Sequence, residues 1–331
     1  MVYFTLVSLA LALQGASPGL PERADSVPAV DYHVHLMSPA LVGDWKSLGV
    51  PFSRPDSVYT SGAVPLAAAR WALFVPMGHL YANAEFRDAL RLSPEDEGAR
   101  VRRENDYVAA AAARYPGRAA AACSVNPLRP YAIAELERCH TSLGVGVVKV
   151  HAASAGLDLR RDDHLTTLTA VAAWASARRV TLLLHLDPQM RGHAADDITR
   201  FAEAVLEPNP ALVAVVAHLG GSGGYGEWTR TVLGTLGRWL ARHPDRRVYF
   251  DLSAVVLEAE SEGIPPTTAA EAAAVTGDLR RVGLERMVFG SDYPVFDPAR
   301  YALLLRRHLA LTPAELDQLF GNRVPGLPPD P

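Results

Sequence analysis

The sequence predicts an α/β protein: a single (β/α)8 TIM barrel with an insertion after its first strand. Three observations support this prediction. The chain has 331 residues, 49% of them hydrophobic, which suits one large domain. It contains eight short apolar runs that end in polar residues, and segments of helical character separate them. Apolar strands that alternate with helices indicate a parallel sheet, and eight such units are what a closed barrel needs.

The strands and helices can be placed from the apolar runs and the capping residues. The strands are predicted at 27–36, 70–79, 119–127, 145–151, 180–186, 212–221, 248–255 and 287–294. Ser93 suits the N-cap of the clearest helix, Pro94 suits its first turn, and the helix ends near Tyr115. Other helices are predicted at 130–142, 161–178, 194–206, 227–242, 266–282 and 297–309, and a last one from a capping box at Thr312 to near Gly321.

Residues 38–69 are too long for a simple connection and are rich in Pro, Ser and Gly. Such a segment is typical of a loop that shapes access to the mouth of a barrel. We therefore predict one barrel domain over residues 26–331, with this segment as an insertion over the mouth.

The first 25 residues are predicted to lie outside the barrel, as a signal peptide or a disordered N-terminus. Residues 2–13 are almost wholly apolar and are followed by Gln-Gly-Ala-Ser-Pro, which indicates a signal peptide with a weak cleavage site. The segment is too short for a stable membrane span, and it lacks the basic residues expected ahead of the apolar run. We expect export to the periplasm or secretion; a misassigned start codon would instead imply a cytoplasmic protein.

Charge and cysteine content narrow the class of partner. The net charge is −4 and no dense Lys/Arg block occurs, so nucleic acid is not expected as a partner and a small-molecule substrate is. The two cysteines, Cys123 and Cys139, match no paired-cysteine zinc pattern and no disulfide framework. We expect both to be buried apolar fillers.

Chemistry-bearing side chains stand at the ends of several predicted strands. His33 and His35 lie two residues apart in "VDYHVHL", so they project to the same side of strand one. The carboxyl ends of the other strands add residues of the same kind: His185, His218, Asp292 and, close to its strand end, Lys149. Imidazoles with a carboxylate suit a divalent ion, most of all zinc, whereas the alternative is a set of unrelated polar caps. The pattern predicts a metal site at the barrel mouth.

Seven motifs follow the order seen in the amidohydrolase superfamily. They are "DYHVH", "VKVH", "LLLHL", "VVAHLGG", "YFDLS", "FGSDYP" and "LFGNR". The sequence resembles the amidohydrolase-related branch, which includes hydrolases, lactonases and decarboxylases such as aminocarboxymuconate semialdehyde decarboxylase, and the likeness runs from Val27 to Pro325. It implies one ion held by His33, His35, His185 and Asp292, with His218 as a catalytic residue.

Lys149 leaves the number of ions open. In superfamily members that resemble phosphotriesterase, a lysine at this strand is carboxylated and bridges two ions. Here Lys149 would be a metal ligand only in that carboxylated, two-metal form. In one-metal relatives a lysine at this strand pairs with a substrate anion or a neighbouring carboxylate. We favour one ion.

The expected reaction is hydrolysis of a small amide, ester or lactone by a metal-activated water. Asp292 would take a proton from that water and pass it to the leaving group, while His218 stabilises the oxyanion. Two alternatives stay open. The resemblance also implies non-oxidative decarboxylation of a small unsaturated or aromatic carboxylic acid, and a catalytically silent metal-binding barrel would keep the same ligands. Related decarboxylases imply a homodimer.

Further polar residues near the strand ends are candidates for supporting roles. His151, His79 and Tyr293 are predicted to contact substrate, with a hydrogen bond at the barrel rim as the alternative. Asp251 and Ser253 are candidates for orienting the ligands, with hydrogen bonds to backbone groups at the barrel end as the alternative. The candidates for gripping a substrate carboxylate are Arg54, Arg70 and Arg87. The glycine-rich loop 220–228 is expected to form a flexible rim, because it lacks the ending that a phosphate-binding loop needs.

Overall fold

Eight parallel strands form a barrel in the computed structural model, which describes residues 28–50, 52, 54–261 and 263–327. The predicted signal peptide at residues 1–25 lies outside the described residues. The strands are β1 (Val30–Leu36), β2 (Trp71–Pro76), β3 (Ala119–Ser124), β4 (Val147–His151), β5 (Thr181–His185), β6 (Val213–Val216), β7 (Arg247–Asp251) and β8 (Met287–Val288). Each pairs in parallel with the next, in sequence order.

The barrel closes between β1 and the residues that follow β8. Val34 bridges Tyr293 in parallel, and the Asp292 N–H donates a 2.9 Å hydrogen bond to the His33 carbonyl. Strand eight was expected over 287–294 but covers only Met287–Val288, and Asp292, with a φ of 59°, lies outside the extended region. The predicted (β/α)8 barrel is confirmed.

Helices surround the barrel and cover its mouth. They are α1 (Pro39–Ser47), α2 (Asp56–Thr60), α3 (Ala63–Ala68), α4 (Ala84–Ala89), α5 (Pro94–Ala113), α6 (Ala132–Leu143), α7 (Ala152–Ala155), α8 (Asp162–Arg178), α9 (Ala195–Phe201), α10 (Glu227–Arg242), α11 (Ala269–Val282), α12 (Pro298–His308) and α13 (Pro313–Gly321). The predicted caps at Ser93 and Thr312 are confirmed, since each side chain accepts a backbone N–H of the first turn. The helix expected at 194–206 is α9 followed by a π-helical turn, Ala202–Leu206.

The predicted insertion over residues 38–69 contains α1, α2 and α3. Its apolar side chains pack with residues that follow β2 in a separate cluster, which includes Trp45, Tyr59, Met77, Tyr81 and Phe86. This cluster stands beside the barrel mouth, and we call it the outer wall.

Strand β1 changes the face that it presents part-way along its length. Val30 and Tyr32 belong to the apolar cluster that fills the barrel interior, whereas Val34 and Leu36 belong to the cluster between strands and helices. The register against β2 shifts between Asp31 and Val34. An irregularity of this kind re-aims the side chains that follow it.

The two cysteines correct a prediction. Cys123 in β3 and Cys139 in α6 form a disulfide, with 6.2 Å between their Cα atoms, rather than filling the core separately. The helix after β3 packs back against the strand, so a separation of sixteen residues along the chain says little about distance in space.

Within the described residues, no helix is long and apolar enough to cross a membrane.

Candidate active site and metal centre

His33 and His35 point their Nε2 atoms at each other across 3.1 Å. His33 Nδ1 lies 2.9 Å from an Asp251 carboxylate oxygen, and His35 Nδ1 lies 3.3 Å from the Val75 carbonyl. Both of these partners accept hydrogen bonds, so each Nδ1 carries the proton and each Nε2 presents a lone pair. Two facing lone pairs call for a cation between them.

The Asp292 carboxylate completes a triangle with these two nitrogens. Its Oδ1 lies 3.7 Å from His33 Nε2 and 3.4 Å from His35 Nε2. Ligand atoms that each lie 2.0–2.1 Å from a tetrahedral zinc ion would stand about 3.4 Å apart. The triangle, which we call the cation end, therefore fits a small divalent ion.

The charge states at the cation end suit a metal. Burial, together with the charge of Lys149, lowers the pKa of His33 to about 3, so this imidazole is neutral. Burial opposes ionisation of Asp292, but its position beside His35, His218 and His33 lowers the pKa of the carboxyl well below its ordinary value. Neutral imidazoles and an ionised carboxylate are the forms that bind metal.

Asp251 connects three strands beneath the cation end. Besides His33, it accepts the His218 N–H at 3.0 Å and the Ser253 N–H at 3.1 Å. Hydrogen bonds from His33 and Ser253 lower the pKa of this fully buried carboxyl, although burial alone would raise it. Gly290 lets the chain that follows β8 pass close to His33, because a Cβ at this glycine would stand 2.9 Å from the His33 Cβ. Asp251 thus orients His33, as the sequence indicated.

His218 stands beside the triangle. Its Nδ1 donates to the Ser253 carbonyl at 2.9 Å, which leaves Nε2 as the acceptor. Its φ of 52° places it in the left-handed region that non-glycine residues rarely adopt. His33, His218 and Asp292 each offer a ligand atom, and these atoms lie within 4.8 Å of one another.

Lys149 is fully buried at the cation end, with Nζ 3.2 Å from His33 Nε2. Burial lowers the pKa of its ammonium group to about 8, against the opposing charges of Asp251 and Asp292.

His185 is not part of the triangle in this structure. Its Nε2 lies 2.8 Å from Ser222 Oγ, which donates its proton to Asp187 at 2.8 Å. Ser222 therefore accepts the His185 N–H. Binding of a metal through this nitrogen would have to replace that hydrogen bond, so the assignment of His185 as a ligand stays a prediction.

Three imidazoles stack in a column along one side of the mouth. The ring centroids of His185 and His151 are 3.9 Å apart, and those of His151 and His79 are 4.9 Å apart. Burial lowers the pKa of all three well below 6.5, so the column is neutral.

A cavity of about 460 Å³ connects the cation end to the outer wall, within the usual range for a small-molecule site. His35, His218 and Asp292 line one end, and the other holds apolar residues of the outer wall and its neighbours: Met37, Trp45, Met77, Leu80 and Phe86. In the part of the chain that the structure describes, no Lys or Arg lines this cavity.

Several residues that the sequence proposed for substrate contact lie elsewhere. Tyr293 is buried, its hydroxyl donates to the Val58 carbonyl at 2.7 Å, and it is absent from the cavity lining. Arg54 donates to the Pro294 carbonyl, and Arg87 pairs with Asp88. These side chains form contacts with other residues of the same protein, and the spacing of residues along the sequence does not reveal such contacts.

Residues 30–322 match the amidohydrolase family. The chain belongs to this family. The protein is a metal-dependent enzyme of the amidohydrolase family, and membership of this family supports a divalent metal ion as the cofactor. No curated protein sequence matches the chain.

Solved structures share the fold at low sequence identity. A 2,6-dihydroxybenzoate decarboxylase is 14% identical with a TM-score of 0.62, over 89% of this chain and 97% of that one. A dihydroxybenzoic acid decarboxylase from Polaromonas sp. JS666, with bound manganese, is 14% identical with a TM-score of 0.58, over 89% and 94%. An amidohydrolase II is 18% identical with a TM-score of 0.55, over 88% and 97%.

Several side chains at this site were not predicted from the sequence. Ser124 ends β3 and contacts His79, and its position at a strand end was the available signal. Asp187 lies two residues after His185 and was open to the same argument. Trp45 offered no signal, because the path of an insertion cannot be deduced from composition.

Proposed function

We propose that the protein is a metal-dependent, non-oxidative decarboxylase of a small aromatic or unsaturated carboxylic acid. The observation that carries the proposal is the cavity, in which a cation site faces an apolar, partly aromatic wall without a Lys or Arg among its described residues. Such a wall suits a flat apolar ring, and it favours conversion of a localised carboxylate into neutral carbon dioxide. Structural neighbours that act on dihydroxybenzoate add support.

The residues of the cation end have separable roles in this proposal. A bound dication supplies positive charge that holds and polarises the substrate's oxygen atoms. His33, His35 and Asp292 hold the ion, and Asp251 fixes the orientation of His33. Because the Polaromonas neighbour carries manganese, we propose that the site holds one ion, which can be either Mn²⁺ or Zn²⁺.

His218 is proposed as the proton donor. When the carbon–carboxylate bond breaks, carbon dioxide leaves and the electron pair remains on the substrate carbon. His218 Nε2, the acceptor in this structure, takes a proton from solvent before this step; that proton then bonds to the carbon, and the imidazole returns to its neutral form. The Ser253 carbonyl holds the ring through Nδ1 throughout.

Hydrolysis of an amide, ester or lactone is the second candidate. The observation in its favour is Lys149, whose buried Nζ lies 3.2 Å from His33 Nε2. Addition of carbon dioxide to the neutral amine, with loss of one proton, would make an anionic carbamate, which could serve as a further metal ligand. Asp292 would then act as the base and His218 would stabilise the oxyanion.

A substrate panel with the metal-loaded protein separates these candidates. Hydroxybenzoates are tested for release of carbon dioxide, lactones, esters and amides for hydrolysis, and bound metal is counted per chain. Release of carbon dioxide with one ion per chain supports the proposal. Hydrolysis alone, with two ions and a carboxylated Lys149, contradicts it in favour of the second candidate. Stoichiometric metal without turnover would indicate a silent barrel.

We also propose that the protein is exported. A disulfide between Cys123 and Cys139 persists in an oxidising compartment and is rare in the cytosol of mesophiles. Fractionation of expressing cells tests this: loss of the N-terminal segment and a periplasmic or secreted protein are expected. A protein that keeps this segment and stays in the cytoplasm would contradict export.

A further inference from the structure

The end of the barrel opposite the mouth, where the strands begin, carries a set of arginines. Parallel strands that pair in sequence order all begin at this one end. Each arginine directly precedes a strand, opens one, caps the helix before one, or lies in the C-terminal segment that hydrogen-bonds to Tyr32 of β1. They are Arg70, Arg118, Arg179, Arg247, Arg286 and Arg323. We call this face the base.

The arginines of the base differ from most other arginines of the protein in having no carboxylate partner. None of them forms an ion pair with a residue that the structure describes. Elsewhere pairing is the rule: Arg160 lies 2.8 Å from Asp158, and Arg280 lies 2.7 Å from Glu315. The positive charge of the base is therefore not neutralised by contacts within the chain.

The loops that lead into the strands keep this charge positive as a whole. They contain two further arginines, Arg114 and Arg246, against three acidic residues, Glu207, Asp245 and Glu285. The whole chain has a net charge of −4, so the base has the opposite sign to the rest of the molecule. Such a concentration of one sign attracts a surface of the other sign.

Backbone carbonyls hold several of these side chains in place. Arg118 donates to the Ala69 carbonyl at 2.9 Å and to the Arg70 carbonyl at 3.3 Å, and Arg286 donates to the Pro244 carbonyl at 3.0 Å. A carbonyl fixes a guanidinium group without removing its charge. The N–H groups that remain free are suited to a phosphate, which a planar guanidinium binds through two parallel hydrogen bonds.

Basic residues also stabilise the carboxyl ends of helices, and these ends lie at the base. Arg178 and Arg242 have that position, in the last turns of α8 and α10. Arg118, Arg247 and Arg323 lie outside the helices, so helix stabilisation does not account for them.

The path of the chain favours a membrane as the partner. The Arg70 N–H donates to the Pro28 carbonyl at 3.4 Å, so the residues that precede Pro28 join the barrel at the base. Residues 2–13 are almost wholly apolar. An apolar segment that enters a bilayer would bring the base to the bilayer surface, where anionic lipids attract arginine.

Nucleic acid is the weaker alternative. Single strands are bound by aromatic side chains on which the bases stack, and no Phe, Tyr or Trp is exposed in the part of the chain that the structure describes. The proposed export would also take the protein away from nucleic acid.

We infer that the base docks the protein on an anionic membrane surface, with its arginines on the phosphate groups of the lipids. The mouth lies at the opposite end of the barrel, so substrate still reaches the cation end from solution. The inference concerns a face that the proposed reaction does not use.

Sedimentation of the full-length, metal-loaded protein with vesicles tests the inference. Vesicles of phosphatidylcholine alone are compared with an equimolar mixture of phosphatidylcholine and phosphatidylglycerol. We expect at least about tenfold stronger binding to the mixture at about 0.1 M salt, and loss of this preference at about 0.5 M salt. The uncharged lipid reports any binding that the apolar N-terminal residues cause by themselves.

Two double variants locate the effect. Arg70→Gln/Arg323→Gln removes two exposed charges of the base and should weaken binding to the mixture about 10- to 30-fold. Arg103→Gln/Arg191→Gln removes the same charge from exposed arginines in the middle of α5 and in the loop after β5, and should bind like the wild type. If the first variant does not fold, Arg114→Gln/Arg179→Gln provides the same comparison.

Equal binding of the wild type to both kinds of vesicle overturns the inference, as does an equal loss in the two double variants. Binding to a DNA oligonucleotide without a preference for phosphatidylglycerol would assign the base to nucleic acid instead. A cytoplasmic protein that still prefers phosphatidylglycerol keeps the inference and loses the proposed export.

Discussion

The two ends of the cavity have opposite hydrogen-bonding character. At the cation end, His33 and His35 have already donated their Nδ1 protons, so two lone pairs and the Asp292 carboxylate face one another. At the outer wall, apolar side chains such as Met77 and Phe86 line the cavity, and the Trp45 N–H has no hydrogen-bond partner among the described residues. The acceptor atoms at one end suit a metal ion, whereas the other end suits an apolar group.

Removal of one ligand should break the cation end and leave the outer wall intact. His33→Ala is expected to lose metal and all turnover together, because His33 is one corner of the ligand triangle. Metal content by mass spectrometry and turnover on the substrate panel measure this. His308→Ala should keep both, and a metal-free His33→Ala protein with full activity would refute the site.

The support beneath the triangle can be weakened without touching a ligand. Asp251→Asn should lower metal affinity about 10- to 100-fold, because an amide no longer fixes the His33 tautomer by its charge. Competition against a chelator measures the change. Ligand binding at saturating metal should recover, and an unchanged metal affinity would show that Asp251 only supports the fold.

Acid should destabilise the metal-free protein, beginning at the imidazoles. The pKa of His33 is lowered to about 3, and those of His79, His151 and His185 are lowered well below 6.5. The unfolded chain therefore binds protons near pH 6.5 that the folded chain does not, and stability falls as the pH falls from about 7 to 4. Burial raises the pKa of Asp31 to about 7 and also raises the pKa values of Glu104 and Asp187, which opposes this trend.

Urea midpoints of the metal-free protein between pH 7 and 4.5 measure the effect. We expect a falling midpoint, with part of the loss reversed by Mn²⁺ because it binds the neutral imidazoles of the cation end. A midpoint that stays constant or rises in acid would show that these histidines are protonated in the folded state.

A single donor at the outer wall should have the smallest effect. Trp45→Phe keeps the apolar contacts with Phe52 and Phe86 and removes the buried N–H. We expect KM for an aromatic acid to change by less than about twofold, with kcat unchanged, because this N–H presents almost no surface to the cavity. A fall in kcat with constant KM would place Trp45 in the chemical step instead.

The chain order of strands and helices was enough to predict the barrel, and strand-end chemistry was enough to predict most of its mouth. Parallel strands bring their carboxyl ends to one rim, so His33, His35, His218 and Asp292 had to converge once eight strands closed. The same reasoning failed for Tyr293, whose side chain turns to Val58 where the chain bends after Asp292.

The sequence by itself determined the repeat of apolar strands, the side of each strand that carries an imidazole, and the family. The tertiary structure alone decided the partners of those imidazoles: Asp251 on His33, Ser222 on His185 and Ser124 on His79. It also decided the pairing of Cys123 with Cys139. The physical reason is that side-chain alternation is a local property of a strand, whereas a hydrogen bond depends on distances between strands and loops, which barrel closure sets.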